Sequence, residues 1–367
     1  MEASMKITDI ELYSISVPLR TPFKTALRTV NAVEDIIVKI NTDEGVCGYG
    51  EAPPTGVITG DTSGSIIAAI RNHIEKAIVG MDIEDFEEIM EKLHKSVIGN
   101  YSAKAAVDMA LYDLFGQKWE IPLYKHLGGS KKEIITDITV SVNEPEEMAA
   151  DALDAVNKGY KTLKIKVGKD SKKDLQRMQA IRDAVGYEVD LRIDANQGWQ
   201  AKEAVKVLRQ MEDKGLMIEF VEQPVAAHDF EGLKYVTDNV SIPVLADESV
   251  FSPMDAVKIM QLRAADYVNI KLMKCAGIHN ALKITALGEL YGVECMIGCM
   301  LEANVSVTAA VHLAMAKNII TKIDLDGPVL CSENPVVGGA IFDNYRINMS
   351  DGTGLAIKGI QNLQKIN

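Results

Sequence analysis

Two regimes of hydrophobic and polar positions divide the chain. Over residues 6–17, 34–41 and 46–50 apolar and polar residues alternate, the two-residue period of strands with one buried face. Thr42-Asp-Glu-Gly45 joins the last two runs as a hairpin signal. Residues 21–29 break the alternation and are expected to form a loop, as is the Thr-, Gly- and Pro-rich stretch 53–64. Helical periods come next, over about 65–79, 84–98 and 102–118. The last carries Ala103, Ala106, Val107, Ala110, Leu111 and Leu114 on one face. Strands followed by helices predict an α+β domain, with 121–129 as the linker out of it.

Beyond residue 135 the pattern changes. Strand-like apolar runs recur at 136–142, 162–168, 191–196, 218–224, 243–249, 267–272, 293–298 and 321–326. Helical windows at about 145–158, 172–185, 201–214, 230–238, 253–262, 278–291 and 304–317 separate them. Eight such units predict a (β/α)8-type α/β barrel of about 250 residues, which leaves part of the chain for a smaller partner. The expected division is an N-terminal α+β capping domain over 1–130, the barrel over 131–329, and a C-terminal tail over 330–367 that returns to complete the capping domain.

Composition narrows the function classes. The 367 residues are 47% apolar and 25% charged, ordinary for a globular protein, and the net charge of −13 argues against a nucleic-acid partner. No apolar run reaches membrane-spanning length, and Met1-Glu-Ala-Ser-Met5 lacks a signal pattern. Five Cys without a C-x-x-C make disulfides unexpected and a reducing cytoplasm the default.

Charged residues stand at the C-terminal ends of the barrel runs, where such barrels place their active sites. Lys164 and Lys166 sit two apart in Thr162-Leu-Lys-Ile-Lys-Val-Gly168 and therefore share a face. Their mutual repulsion is expected to lower the pKa of at least one from about 10.4, toward the range of a general base. Alone, such a pair would read as a solvated edge strand. The downstream charges reverse that reading: Asp194, Glu222, Asp247 and Lys271 continue the series at steps of 24 to 28 residues. Three carboxylates aimed at one spot suit a hard cation with oxygen ligands, Mg²⁺ best. Asn196 and Glu248 are expected to brace the ligands or lysines. Lys166 precedes the acids and Lys271 comes after them, so they would flank a metal-bound substrate. One could remove a proton from one face of a carbon while the other returned it to the opposite face.

Lys164-Ile-Lys166, Asp194-Ala-Asn196, Glu222-Gln-Pro224, Ala246-Asp-Glu-Ser249 and Asn269-Ile-Lys271 together resemble the enolase superfamily, in the subgroup containing muconate-lactonising enzymes. The resemblance spans the whole chain. It implies an isomerase in which a substrate carboxylate binds Mg²⁺, and in which the metal and Lys164 stabilise the enolate left when the α-proton departs. A His-based type is disfavoured, because residues 294–300 contain no His.

Asp324-Leu-Asp326 puts two carboxylates on one face at the last strand's end, suited to a substrate ammonium. That pair is similar to the dipeptide epimerases, where it holds the dipeptide's amino terminus. Cys299 and Leu301 match positions lining the substrate backbone there, and Thr139 is a further candidate. Arg28 lies in Phe23-Lys-Thr-Ala-Leu-Arg-Thr-Val30, a string similar to that of L-Ala-D/L-Glu epimerases, whose matching Arg meets the Glu side chain. The leading expectation is Mg²⁺-dependent, two-lysine epimerisation of a dipeptide at its C-terminal α-carbon, with L-Ala-L-Glu and L-Ala-D-Glu as substrates and a place in murein peptide metabolism. Epimerases of other dipeptides, N-acyl amino acid racemases, o-succinylbenzoate synthases and cycloisomerases share the scaffold and stay open, as does a homo-oligomer.

Overall fold

Alternation builds the first sheet, with strands longer than the apolar pattern. The computed structural model describes residues 4–25, 27–130 and 133–367. Residues 1–3, Ala26 within the expected 21–29 loop, and 131–132 at the start of the expected barrel segment lie outside the described residues. β1 (Ile7–Lys24), β2 (Thr29–Thr42) and β3 (Cys47–Ala52) pair antiparallel in that order. The expected loop over 21–29 is largely strand: past an irregularity between Pro18 and Phe23, Phe23 pairs with Val30 and Lys24 with Thr29. Backbone pairing continues there, with Phe23 and Val30 packed against a small apolar cluster.

The helix Tyr101–Lys118 lies directly on β3. A Cβ on Gly50 would stand 1.8 Å from the Ala106 carbonyl oxygen, so only glycine permits this approach. The helical stretch expected near 65–79 forms as Ser63–Ala69, a π-helical turn Ile70–Ile74 and Glu75–Ile78.

β4 (Glu133–Ile135) precedes eight parallel strands: β5 (Ile138–Val140), β6 (Thr162–Lys166), β7 (Asp190–Asp194), β8 (Ile218–Glu222), β9 (Val244–Ala246), β10 (Tyr267–Ile270), β11 (Cys295–Gly298) and β12 (Ile320–Asp324). They neighbour one another in chain order. The intervening helices Pro145–Asn157, Ser171–Val185, Ala201–Asp213, Phe230–Asn239, Pro253–Leu262, Ile278–Tyr291 and Asn304–Ala316 fall within a residue or so of their expected windows. Between β12 and β5 side chains draw the seam together. Leu325 N–H donates to Thr136 Oγ1 at 2.9 Å and Thr139 N–H to Asp326 Oδ2 at 2.7 Å. Arg192 Nη1 donates to Asp137 Oδ2 at 2.8 Å and to the Ile323 carbonyl at 3.2 Å. Phe220, Leu245 and Met296, on three of the barrel strands, form a separate small apolar cluster.

The tail adds β13 (Val336–Gly338), β14 (Ala340–Asp343), β15 (Arg346–Met349), β16 (Ile357–Ile360) and β17 (Gln364–Lys365). β15 pairs with β4, and β17 pairs with β1, which completes the first sheet. The cap is seated on the barrel by buried acids. Asp108, on the cap helix Tyr101–Lys118, accepts the N–H groups of Ile278 and His279 at 2.6 and 3.2 Å. It thereby caps a barrel helix whose own N-cap, Gly277, has no side chain to do so. No helix among the described residues is long and apolar enough to cross a membrane.

Candidate active site

Strand register sets the site. Lys166 lies beside Asp194 and Asp194 beside Glu222 across three neighbouring strands. Asp247 comes directly after β9 and Lys271 directly after β10. All five side chains are buried. Lys164 Nζ sits 2.6 Å from Asp324 Oδ2, 2.8 Å from Glu222 Oε2 and 3.2 Å from Asp194 Oδ2. Lys166 Nζ is 2.6 Å from Asp194 Oδ2, and Lys271 Nζ 2.8 Å from Asp247 Oδ2. A Cβ on Gly298 would come within 3.1 Å of Lys271 Cε, so the glycine at the end of β11 leaves room for that lysine.

The acids are braced. Asn196 donates its N–H to Asp194 Oδ1 at 2.9 Å, and its amide reaches Asp194 Oδ2 and Glu248 Oε1 at 3.3 Å. Asn269 donates to Glu222 Oε1 at 2.9 Å. Gln223, held in the left-handed region at φ 37°, accepts the N–H groups of Asp247 and Ser249 at 2.9 and 3.1 Å.

Of the two lysines expected to repel each other, Lys164 is not the one lowered. Burial does act in that direction, but Asp324, Glu222 and Asp194 outweigh it and hold the ammonium well above its usual value. Burial likewise opposes Lys271, and Asp247 holds it above the ordinary lysine range. At Asp194 burial works against ionisation, yet Lys166 and Lys164 bring the carboxyl down to about 2. Burial and the charge of Asp194 push Glu222 up to about 8. Burial and Asp324 push Asp326 up to about 6.

A cavity of about 50 Å³ above these groups is lined by Arg28, Thr139, Lys164, Lys166, Lys271, Cys299, Leu301, Asp324 and Asp326, together with Phe23, Asn196 and Met300. The structure thus brings the candidate substrate residues to one place. Asp326 also serves the barrel seam through Thr139, and Asp324 is bonded to Lys164. A larger cleft of about 1240 Å³ lies outside the barrel mouth. It shares Phe23, Thr139 and Leu330 with the small cavity but contains none of the lysines or acids above.

Sequence reasoning missed Lys274, which is fully buried with Nζ 2.5 Å from Asp247 Oδ1 and 3.0 Å from the Asn269 carbonyl that it bonds. Its only sequence signal is the spacing from Lys271, one helical turn on.

The donor set fits a divalent cation. Six carboxyl groups (Asp194, Glu222, Asp247, Glu248, Asp324, Asp326) share the site with four ammonium groups (Lys164, Lys166, Lys271, Lys274), all buried. Two negative charges are left over when all are ionised. Glu222 Oε2 and Asp247 Oδ1 accept no hydrogen bond; the ammonium groups beside them pair by charge alone. Among the described residues no three such groups are already drawn together at metal spacing, because lysines hold the acids. Asp194 and Glu222 do converge on one cationic point, the Lys164 ammonium.

Comparison with known proteins places this arrangement. Residues 7–128 match the mandelate racemase / muconate lactonizing enzyme N-terminal domain, and residues 147–360 match the enolase C-terminal domain-like family. An L-Ala-D/L-Glu epimerase of Clostridium acetobutylicum is 64% identical over 98% of this chain and 100% of its own length. A substrate-liganded complex of the L-Ala-D/L-Glu epimerase from Bacillus subtilis superposes with a TM-score of 0.95 at 51% identity, covering 97% of this chain and 99% of that one. The dipeptide epimerase from Enterococcus faecalis, complexed with Mg and L-Leu-L-Tyr, gives 0.93 at 43% identity, covering 96% and 100%.

Proposed function

The chain belongs to the enolase superfamily, in its mandelate racemase and muconate lactonizing enzyme group, and is an isomerase; on that premise we propose that it epimerises dipeptides at the α-carbon of the C-terminal residue. The observation that carries this reading is the paired placement of Lys166 and Lys271 on either side of Asp194, Glu222 and Asp247. Those three acids would hold Mg²⁺, as the unbonded oxygens of Glu222 and Asp247 and the site's excess of acid favour. When bound, Mg²⁺ would supply positive charge for a substrate carboxylate and for charge developing beside it.

Everything else falls to the chain's own side chains. One lysine takes the α-proton at its Nζ while the other delivers a proton to the opposite face. The Lys164 ammonium, kept charged by Asp324 and Glu222, faces the developing oxyanion. Asp324 and Asp326 receive the substrate's ammonium, each through the oxygen not already used by Lys164 or Thr139. Apolar walls from half-buried Phe23 and buried Leu301 would keep water from the reacting carbon.

Arg28 lines the same cavity, half-buried, and would meet an acidic second residue bidentately. L-Ala-L-Glu and L-Ala-D-Glu are therefore the proposed substrates, consistent with murein peptide metabolism in the cytoplasm. The test is incubation of a dipeptide library in deuterated water. Mass gain with inversion in L-Ala-L-Glu supports the reading, and no gain in any dipeptide refutes it.

A further inference from the structure

The cavity wall Cys299–Leu301 hangs from an acid cluster that the reaction does not use. Glu302 Oε1 accepts the Met300 N–H at 2.7 Å. Glu51, on β3 of the cap, accepts the N–H groups of Ala303, Val305 and Ser306 at 2.7, 3.1 and 2.8 Å, and so caps the barrel helix Asn304–Ala316 from the other domain. The Ser306 hydroxyl lies 2.9 Å from Glu51 Oε2 and also bonds Glu302 Oε2. Asp35 stands beside them on β2, its Oδ2 without a hydrogen-bond partner. Asp35, Glu51 and Glu302 are 2%, 0% and 3% exposed, so water cannot absorb their charge.

A serine hydroxyl has one hydrogen. It cannot donate to Glu51 and Glu302 together, and two bare carboxylates would repel across it. Glu51 is the acceptor of the pair, because three backbone donors converge on it. Glu302 must then close its contact by donating its own proton to Ser306 Oγ, whose hydrogen goes to Glu51. Few cations are within reach: Arg28 faces Asp35, Lys271 acts on Glu302 from the catalytic side, and Arg20 lies beyond Cys331. The neighbouring thiols Cys299 and Cys331 are raised by burial and carry no charge.

We propose that Glu302 is a positioning residue, held protonated in a latch with Ser306, the acceptor Glu51 and protonated Asp35, which fixes the wall Cys299–Leu301 against the cap strand that Arg28 precedes. Burial pushes the Glu302 carboxyl up to about 7, and burial with the charge of Glu51 pushes Asp35 well above the carboxylate range. Folded values raised above unfolded ones mean that the latch is complete below Glu302's ordinary 4.5 and is lost as pH rises through about 7.

The proposal rests on the epimerase reading only for its kinetic arm. Wild type, Glu302→Gln and Glu302→Ala are unfolded in urea from about pH 5 to about pH 9. KM and kcat for L-Ala-L-Glu are measured over the same range. Gln reproduces both the donor and the acceptor of a protonated acid. The wild-type urea midpoint should fall as pH rises through about 7, while that of Glu302→Gln falls less. Glu302→Gln should keep KM within about twofold of wild type near neutrality and hold it to the alkaline end, where wild-type KM rises. Glu302→Ala should raise KM about tenfold at every pH with kcat changed less than about threefold. Should the Ala variant not fold, Asp35→Asn replaces it and should also flatten the alkaline loss of stability. Parallel midpoint curves for wild type and Glu302→Gln, or a Gln variant as impaired as Ala near neutrality, overturn the latch. The urea series needs no substrate, so diverging midpoints with no dipeptide turned over would remove the epimerase reading and leave the latch standing.

Discussion

Lys166 Nζ lies 2.6 Å from Asp194 Oδ2, so a proposed base and a proposed metal ligand share one oxygen. Lys271 and Asp247 repeat the relationship at 2.8 Å on the other side of the site. A divalent cation at the acids would therefore compete with both lysines for their carboxylates. Chelation should abolish α-proton exchange and Mg²⁺ should restore it, with a rise in melting temperature on adding Mg²⁺. Asp194→Asn, Glu222→Gln and Asp247→Asn should each cost at least about a hundredfold in kcat/KM, since a metal supplies several kcal/mol to such a transition state. Full turnover after exhaustive chelation is the contrary result.

Asp324 and Asp326 face the cavity with one oxygen each committed elsewhere. Asp324→Asn or Asp326→Asn should slow free dipeptides by the equivalent of about 1.5–3 kcal/mol, the worth of a hydrogen bond to a charged group. N-acetylated dipeptides, which have no ammonium, should lose less. Comparing kcat/KM on the two substrate series checks this; equal losses would make the pair purely structural.

Arg28, which lines the cavity, is the residue proposed to select the dipeptide's second residue. Arg28→Met should lower kcat/KM for L-Ala-L-Glu by roughly 10- to 150-fold, the same energy range, and leave a dipeptide with an apolar second residue nearly unchanged. A wild type that prefers apolar or cationic second residues would remove the acidic preference and leave epimerisation intact.

Asp108 ties cap to barrel, so Asp108→Ala leaves the Ile278 and His279 N–H groups unpaired. Urea unfolding should show a loss of about 1–3 kcal/mol. An unchanged midpoint would mean that water replaces the carboxylate there.

The barrel is legible in the sequence because its charged residues recur at the strand–helix period, which carries Lys166, Asp194, Glu222, Asp247 and Lys271 to strand ends without any knowledge of packing. Arg28 could be placed only by resemblance, since it arrives from the cap, where no period connects it to the barrel. The strand at 21–24 is hidden because Phe23 alone among its residues packs against a core cluster, too little to set up a period. Lys274 is hidden because its partners include the Asp247 and Asn269 carbonyls, which every sequence has. The Glu51–Ser306 contact joins residues 255 apart, and no local pattern encodes it.

The central claim is that Lys166 and Lys271 act on opposite faces of one carbon. The most direct measurement tracks deuterium uptake from solvent into separate samples of L-Ala-L-Glu and L-Ala-D-Glu by Lys166→Ala and by Lys271→Ala. The two-lysine account predicts that neither variant epimerises, and that each retains exchange with only one of the two stereoisomers, the opposite one in each case. Epimerisation at the wild-type rate by either variant, or exchange of the same stereoisomer by both, would contradict it.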